Sequence, residues 1–184
     1  MIDMGAIWKF FSGEDDAAPV PAQSAQRASI WGFLTGQHAT KNPDQRTVAA
    51  YHEAGHARAA RVSGMTVTGM WVKSHGGGQT KWVPRPDMTD QQRRALLVAI
   101  VAGQEAECRY LMDRYGYSYK DALRESHAHA STDREVFKRA AEDTGYTFEG
   151  LRPDAHRLVR WQAYTIETNA KPLARRGHRG GTWA

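Results

Sequence analysis

Apolar and polar positions change their period several times along the chain, and the breaks between periods carry helix and turn signals. Asn42-Pro43-Asp44-Gln45 supplies an N-cap, a proline at the first helical position and a capping-box glutamine, and Ser63-Gly64 supplies a stop. One helix is predicted over residues 43–63. Residues 65–73 (MTVTGMWVK) and 79–83 (QTKWV) read as two short strands joined across Ser74-His75-Gly76-Gly77-Gly78. Thr89 followed by Gln92 opens a second helix, whose apolar stretch from Leu96 to Leu111 runs on to Gly116. A third helix is expected at residues 119–129. Thr132 with Glu135 reads as a capping box that places Asp133 at a first helical position, in a helix ending near Gly145. Pro153-Asp154 opens a last helix that stops before Pro172. The expected fold is mostly α (α+β), with a small two-stranded β element.

Composition adds the organisation. Of 184 residues, 41% are apolar and 24% charged, which suits one globular domain with polar extensions. Residues 1–42 are rich in Ala, Pro, Gln, Ser and Gly after position 12, and residues 172–184 combine Arg and Gly with little to bury. Both are expected to be disordered or loosely docked arms around a domain at residues 43–171. The aromatic clusters Ile7, Trp8, Phe10, Phe11 and Ile30, Trp31, Phe33, Leu34 in the first arm read as local packing pieces.

The net charge of +5 suggests nucleic acid until it is located. Residues 43–170 carry eighteen basic and sixteen acidic side chains, whereas residues 171–184 carry four basic and none acidic. Nucleic acid is therefore not the expected partner. The longest apolar run, Ala95 to Ala102, is far short of the roughly 20 residues of a membrane-spanning helix. Asp3 and Lys9 spoil a signal-peptide pattern, and Cys108 is the lone cysteine, so a cytoplasmic setting is expected.

The first helix carries His52-Glu53-Ala54-Gly55-His56, an HExxH sequence. Residues four apart share a helix face, so both imidazoles reach one ion while the glutamate beside the first reaches water next to it. A random chain with eight His and nine Glu contains this pattern with a probability of roughly 0.02. A catalytic zinc takes three protein ligands, and the helix stops before it can supply a third. Glu105, Glu107, His127, His129 and Asp133 are the candidates, and spacing does not choose among them. His75 reads as a turn residue, and Trp71 and Trp82 as sheet packing. The glycine run at 76–78 lacks the Gly-Lys-Ser/Thr ending of a phosphate loop.

The segment Ala50 to Ala57 (AYHEAGHA) resembles the active-site helix of the peptidase domain in the FtsH family, the membrane-bound ATP-dependent zinc proteases. In the same order, Gly78-Gln79-Thr80 with Val83-Pro84 is similar to that family's edge strand beside the cleft. Ala102-Gly103-Gln104-Glu105-Ala106-Glu107 is similar to its GGRxAE segment, and Ala130-Ser131-Thr132-Asp133 to its A-S-N-D segment. The likeness covers about residues 43–175. It implies an FtsH-peptidase-like helical zincin domain with one Zn2+ held by His52, His56 and Asp133, and with Glu53 as catalytic base. It also implies a supporting role for Glu107 near the metal helix, and an edge formed by Gly76, Gly77, Gly78, Gln79 and Thr80 that binds an extended substrate. Thr132 replaces the family's asparagine, and roughly Arg114 to Ala128 are extra.

The expected function is that of a zinc metalloendopeptidase acting on flexible or unfolded polypeptides with broad specificity. The 184 residues contain no Walker A motif, so a stand-alone peptidase is expected, with any ATPase unfoldase supplied in trans. A homo-oligomer stays open. So do two other classes: an inactive peptidase-like protein that binds zinc or a partner, and a nucleic-acid-associated protein using its basic tail.

Overall fold

The computed structural model describes residues 42–83 and 87–180. Six helices and three strands follow among them: α1 (Gln45–Val62), β1 (Thr66–Val72), β2 (Gly78–Val83), α2 (Asp90–Tyr115), α3 (Tyr119–Ser126), α4 (Ser131–Ala140), α5 (Phe148–Trp161), α6 (Ala163–Arg176) and β3 (His178–Gly180). The mostly helical expectation is met. Pro84, the aromatic clusters of the first arm and residues 181–184 lie outside the described residues. No helix among the described residues is long and apolar enough to cross a membrane.

Helix α1 begins two residues later than the sequence suggests. Asp44 rather than Asn42 is the cap, because its carboxylate accepts both the amide (3.2 Å) and the hydroxyl (2.5 Å) of Thr47. Helix α2 starts as expected, with the reciprocal Thr89–Gln92 capping box, and ends at Gly116. From Leu96 to Cys108 every residue of α2 is buried, so this helix runs through the middle of the domain. Burial of side chains such as Leu97 and Ile100, each at most 1% exposed, contributes roughly 1.5–3 kcal/mol apiece.

The α1–α2 contact is unusually close. A Cβ on Gly55 would stand 2.5 Å from the Ala106 Cβ and 2.6 Å from the Ala102 carbonyl oxygen, so only glycine fits there. This approach brings the backbone of α2 against the histidine face of α1.

The sheet has three strands, in the order β2-β1-β3, all antiparallel. The two-stranded element and the disordered tail at 172–184 are therefore corrected over residues 172–180. Helix α6 continues through Pro172 to Arg176, because Ile166, Ala170 and Leu173 bury one face of it in the core. Gly177 then turns the chain in the left-handed region (φ 81°), its carbonyl accepts from the Val72 amide at 2.8 Å, and Met70 pairs with Arg179. An Arg/Gly composition conceals this anchored end. The expected last helix at 153–171 is likewise two helices. Thr147 caps α5 six residues before Pro153, accepting from the Gly150 amide at 3.0 Å, and the chain turns at Gln162 before α6.

Helix α3 ends at Ser126, three residues short of expectation. Helix α4 starts at Ser131, with the buried Ala130 as N-cap and its carbonyl accepting from the Arg134 amide at 3.0 Å. Thr132 is thus inside the first turn and is not the cap. Asp133 keeps a first-turn position.

Candidate metal centre

His52 and His56 stand one turn apart on the buried face of α1, at 6% and 5% exposure, their rings edge to face at 4.7 Å between centroids. Asp133 reaches them from the first turn of α4. Its Oδ2 lies 2.8 Å from His52 Nε2 and 3.3 Å from His56 Nε2. One ligand atom from each of the three residues lies within 4.8 Å of the other two. The partial positive charge of a helix N-terminus favours a carboxylate at that place.

The far side of each ring fixes its tautomer. His56 Nδ1 is 2.9 Å from the Ala99 carbonyl, which only accepts, so Nδ1 carries the hydrogen. His52 Nδ1 is 2.9 Å from Glu107 Oε2 and donates to that carboxylate. In both neutral rings the lone pair is then on Nε2, aimed at the same carboxylate oxygen. Two oriented imidazole nitrogens and an ionised carboxylate form a donor set able to hold a metal ion.

The same contacts also favour protonated rings, whose Nε2–H groups donate to Asp133, a state that metal uptake would replace with loss of the protons. Burial alone would depress the His52 pKa, but Asp133 and then Glu107 outweigh it and hold it well above 6.5. Burial likewise opposes the Asp133 carboxylate, yet His56 and His52 hold it far below the usual carboxylate range. His56 is raised against its own burial, chiefly by Asp133. Glu107, fully buried, stays low through its hydrogen bonds from His129 and His52, which overcome the desolvation.

Glu53 is 5% exposed, and burial raises its pKa despite the pull of His56 and His52. Its position depends on β2. The Thr80 hydroxyl, itself buried, lies 2.7 Å from Glu53 Oε2 and 2.9 Å from the Glu53 carbonyl. Gly78 lets the strand come this near, because a Cβ there would stand 2.7 Å from Glu53 Cγ and 2.8 Å from Oε1. Gly76 and Gly77 build the turn, with φ of 93° and 73° that other residues rarely adopt. The half-buried Gln79 pairs with Trp71 of β1. Within the sheet β2 pairs only with β1, so its outer edge carries no strand among the described residues.

The remaining candidates separate cleanly. Glu105 faces away from the histidines and bonds to Arg152 (3.0 Å), His156 (3.1 Å) and the Tyr119 hydroxyl (2.8 Å), which braces α2 to α3 and α5. His127 is an exposed C-cap of α3. His129 Nδ1 lies 2.7 Å from Glu107 Oε1 and outside the His52, His56, Asp133 group. Trp82 is buried with its ring 6.2 Å from that of His56, and Trp71 is 39% exposed.

Sequence reasoning missed two supports, the Ala99 carbonyl and Gly103. A Cβ on Gly103 would stand 2.3 Å from His56 Nε2, so the imidazole occupies the space a side chain would need. Their spacing of four along α2 was the available signal, since both lie on one helix face. Gly103→Ala is expected to push His56 out of line, costing about 1–3 kcal/mol of stability and weakening metal uptake. A denaturation midpoint and a metal titration check this, and wild-type values in both would contradict it.

Comparison with models of known protein families and with curated proteins finds no match to this chain.

Proposed function

We propose that the chain is a zinc-dependent metalloendopeptidase of FtsH-like layout, hydrolysing peptide bonds in flexible or unfolded polypeptides. The observation that carries this reading is a buried carboxylate, Glu53, that feels the charges of the His52, His56, Asp133 group and is held by Thr80 of β2, a strand whose outer edge carries no partner strand among the described residues. Two histidines and a carboxylate suit zinc, and zinc held there supplies Lewis acidity toward a peptide carbonyl and toward water near pH 7.

The chain's own residues do the rest. Glu53 removes a proton from the attacking water at its carboxylate and delivers it to the departing amine. The carboxylate's raised pKa, caused first by burial, suits it to both steps. Asp133 and the anchored imidazoles keep the metal-binding atoms fixed while the substrate moves. An extended chain joins the outer edge of β2 through its main chain, a mode that reads side chains weakly. Most backbone in a folded protein is already paired or held out of reach, so selectivity is for flexibility.

Thr80 holds Glu53 Oε2, so its loss acts on the chemical step. Thr80→Val is expected to lower kcat about tenfold with KM little changed, and Thr80→Ser to restore it. An equal loss in both variants, or a change in KM alone, would remove Thr80 from this role.

The function itself is tested on a reduced, alkylated casein chain, with cleavage sites read by mass spectrometry. Internal cuts that stop on chelation and return with zinc support an endopeptidase. A zinc-loaded protein that leaves the unfolded chain intact would overturn the reading in favour of an inactive metal-binding protein.

A further inference from the structure

We propose that His129 is the outer anchor of the metal centre, a positioning residue that fixes Glu107 and, through it, the His52 imidazole. The inference rests on the metal reading above and concerns how tightly the ion is held.

Glu107 is fully buried, and its two oxygens are divided between two rings. Oε2 accepts from His52 Nδ1 at 2.9 Å and Oε1 accepts from His129 Nδ1 at 2.7 Å. A buried carboxylate is tolerated only when its oxygens are paired. If an apolar side chain replaces His129, Oε1 loses its donor while the carboxylate stays covered. The carboxylate then rotates toward another donor, and this loosens its hold on His52 Nδ1. The His52 tautomer and ring direction are no longer set.

Chain connectivity strengthens the effect. His129 lies in the turn between α3 and α4, four residues before Asp133, so one short segment carries both the carboxylate ligand and the clasp on Glu107. The contacts close a ring: Asp133 to His52, His52 to Glu107, Glu107 to His129, and back along the chain to Asp133. Opening it at His129 frees the ligand on α4 and the ligand on α1 together. His127, two residues away and exposed, takes no part in this ring.

The experiment uses the full-length chain and measures zinc affinity by competition with a chromophoric chelator, alongside the cobalt absorption spectrum. The His129 side chain is 35% exposed, so His129→Leu removes the donor without opening a deep cavity, and circular dichroism checks the fold. His129→Leu is expected to weaken zinc binding at least about tenfold, the usual cost of losing a group that supports a metal ligand. His129→Asn, whose amide N–H replaces Nδ1–H, is expected to stay within about threefold of wild type, and His127→Leu to leave affinity unchanged. His129→Asn and His127→Leu should keep the wild-type cobalt spectrum, because no ligand has changed and Glu107 keeps its donor.

Wild-type affinity in His129→Leu would overturn the proposal. An altered cobalt spectrum in both His129 variants would also overturn it, by making His129 a ligand. A folded wild-type protein that takes up no zinc would sink the metal reading itself, and this inference with it.

Discussion

Glu53→Gln is expected to keep one bound zinc and lose peptide hydrolysis by about 10³-fold, the scale of a positioned general base. The amide is isosteric and accepts the Thr80 hydrogen bond through its own oxygen, so the contact between α1 and β2 survives. Burial already penalises the charged form of Glu53, so a neutral side chain sits there without cost to the fold. What disappears is the basic oxygen. Initial rates on an unfolded chain and zinc stoichiometry on the same sample separate the two effects. Wild-type turnover in Glu53→Gln would remove Glu53 from the proton transfers, whereas loss of zinc would make it a structural part of the metal site.

Asp133→Ala is expected to abolish zinc binding, since it deletes the carboxylate whose oxygen meets both Nε2 atoms. It also changes the metal-free protein. There the two imidazoles and the carboxylate hold one another, with the histidine pKa values raised and the aspartate lowered. The sign follows from both partners. The imidazole contribution is complete below the unfolded value of about 6.5 and is lost as pH rises through the raised folded values, and the aspartate contribution fades only in strong acid. Chelated wild type is therefore expected to be most stable in mildly acidic solution and to lose stability toward alkaline pH, a slope that Asp133→Ala flattens. Denaturation midpoints of chelated protein between mildly acidic and alkaline pH check this. A slope unchanged by the substitution would contradict the pairing.

Local signals made the scaffold of the site readable. His52 and His56 are four apart on a helix with strong punctuation, and a buried face follows from the small residues around them. The Thr89–Gln92 box and Gly116 delimited α2, because capping chemistry is local. Asp133 is one of five candidates by residue type that only the resemblance singles out, and the expected cap beside it is off by two positions. Ala130 caps α4 by burial of its methyl and by its carbonyl, a tertiary effect without a side-chain signature.

The misread tail has the same origin. Pro172 and the Arg/Gly run look like the end of structure, yet the packing of Leu173 and the pairing of β3 with β1 override local preference. Gly78 illustrates a different limit. The sequence suggests only a place on a substrate edge for it, and the fold adds that it makes room for Glu53. The Ala99 carbonyl is backbone, which every residue has, so the sequence marks its place only through its four-residue spacing from Gly103 and not through its chemistry.

The central claim is that a single zinc held by His52, His56 and Asp133 makes this chain a peptidase, and a zinc titration of the chelated protein tests it most directly. The rate of cleavage of an unfolded polypeptide should rise linearly with added zinc and level off at one equivalent per chain. Cleavage that ignores zinc, or no cleavage once one equivalent is bound, would contradict the account.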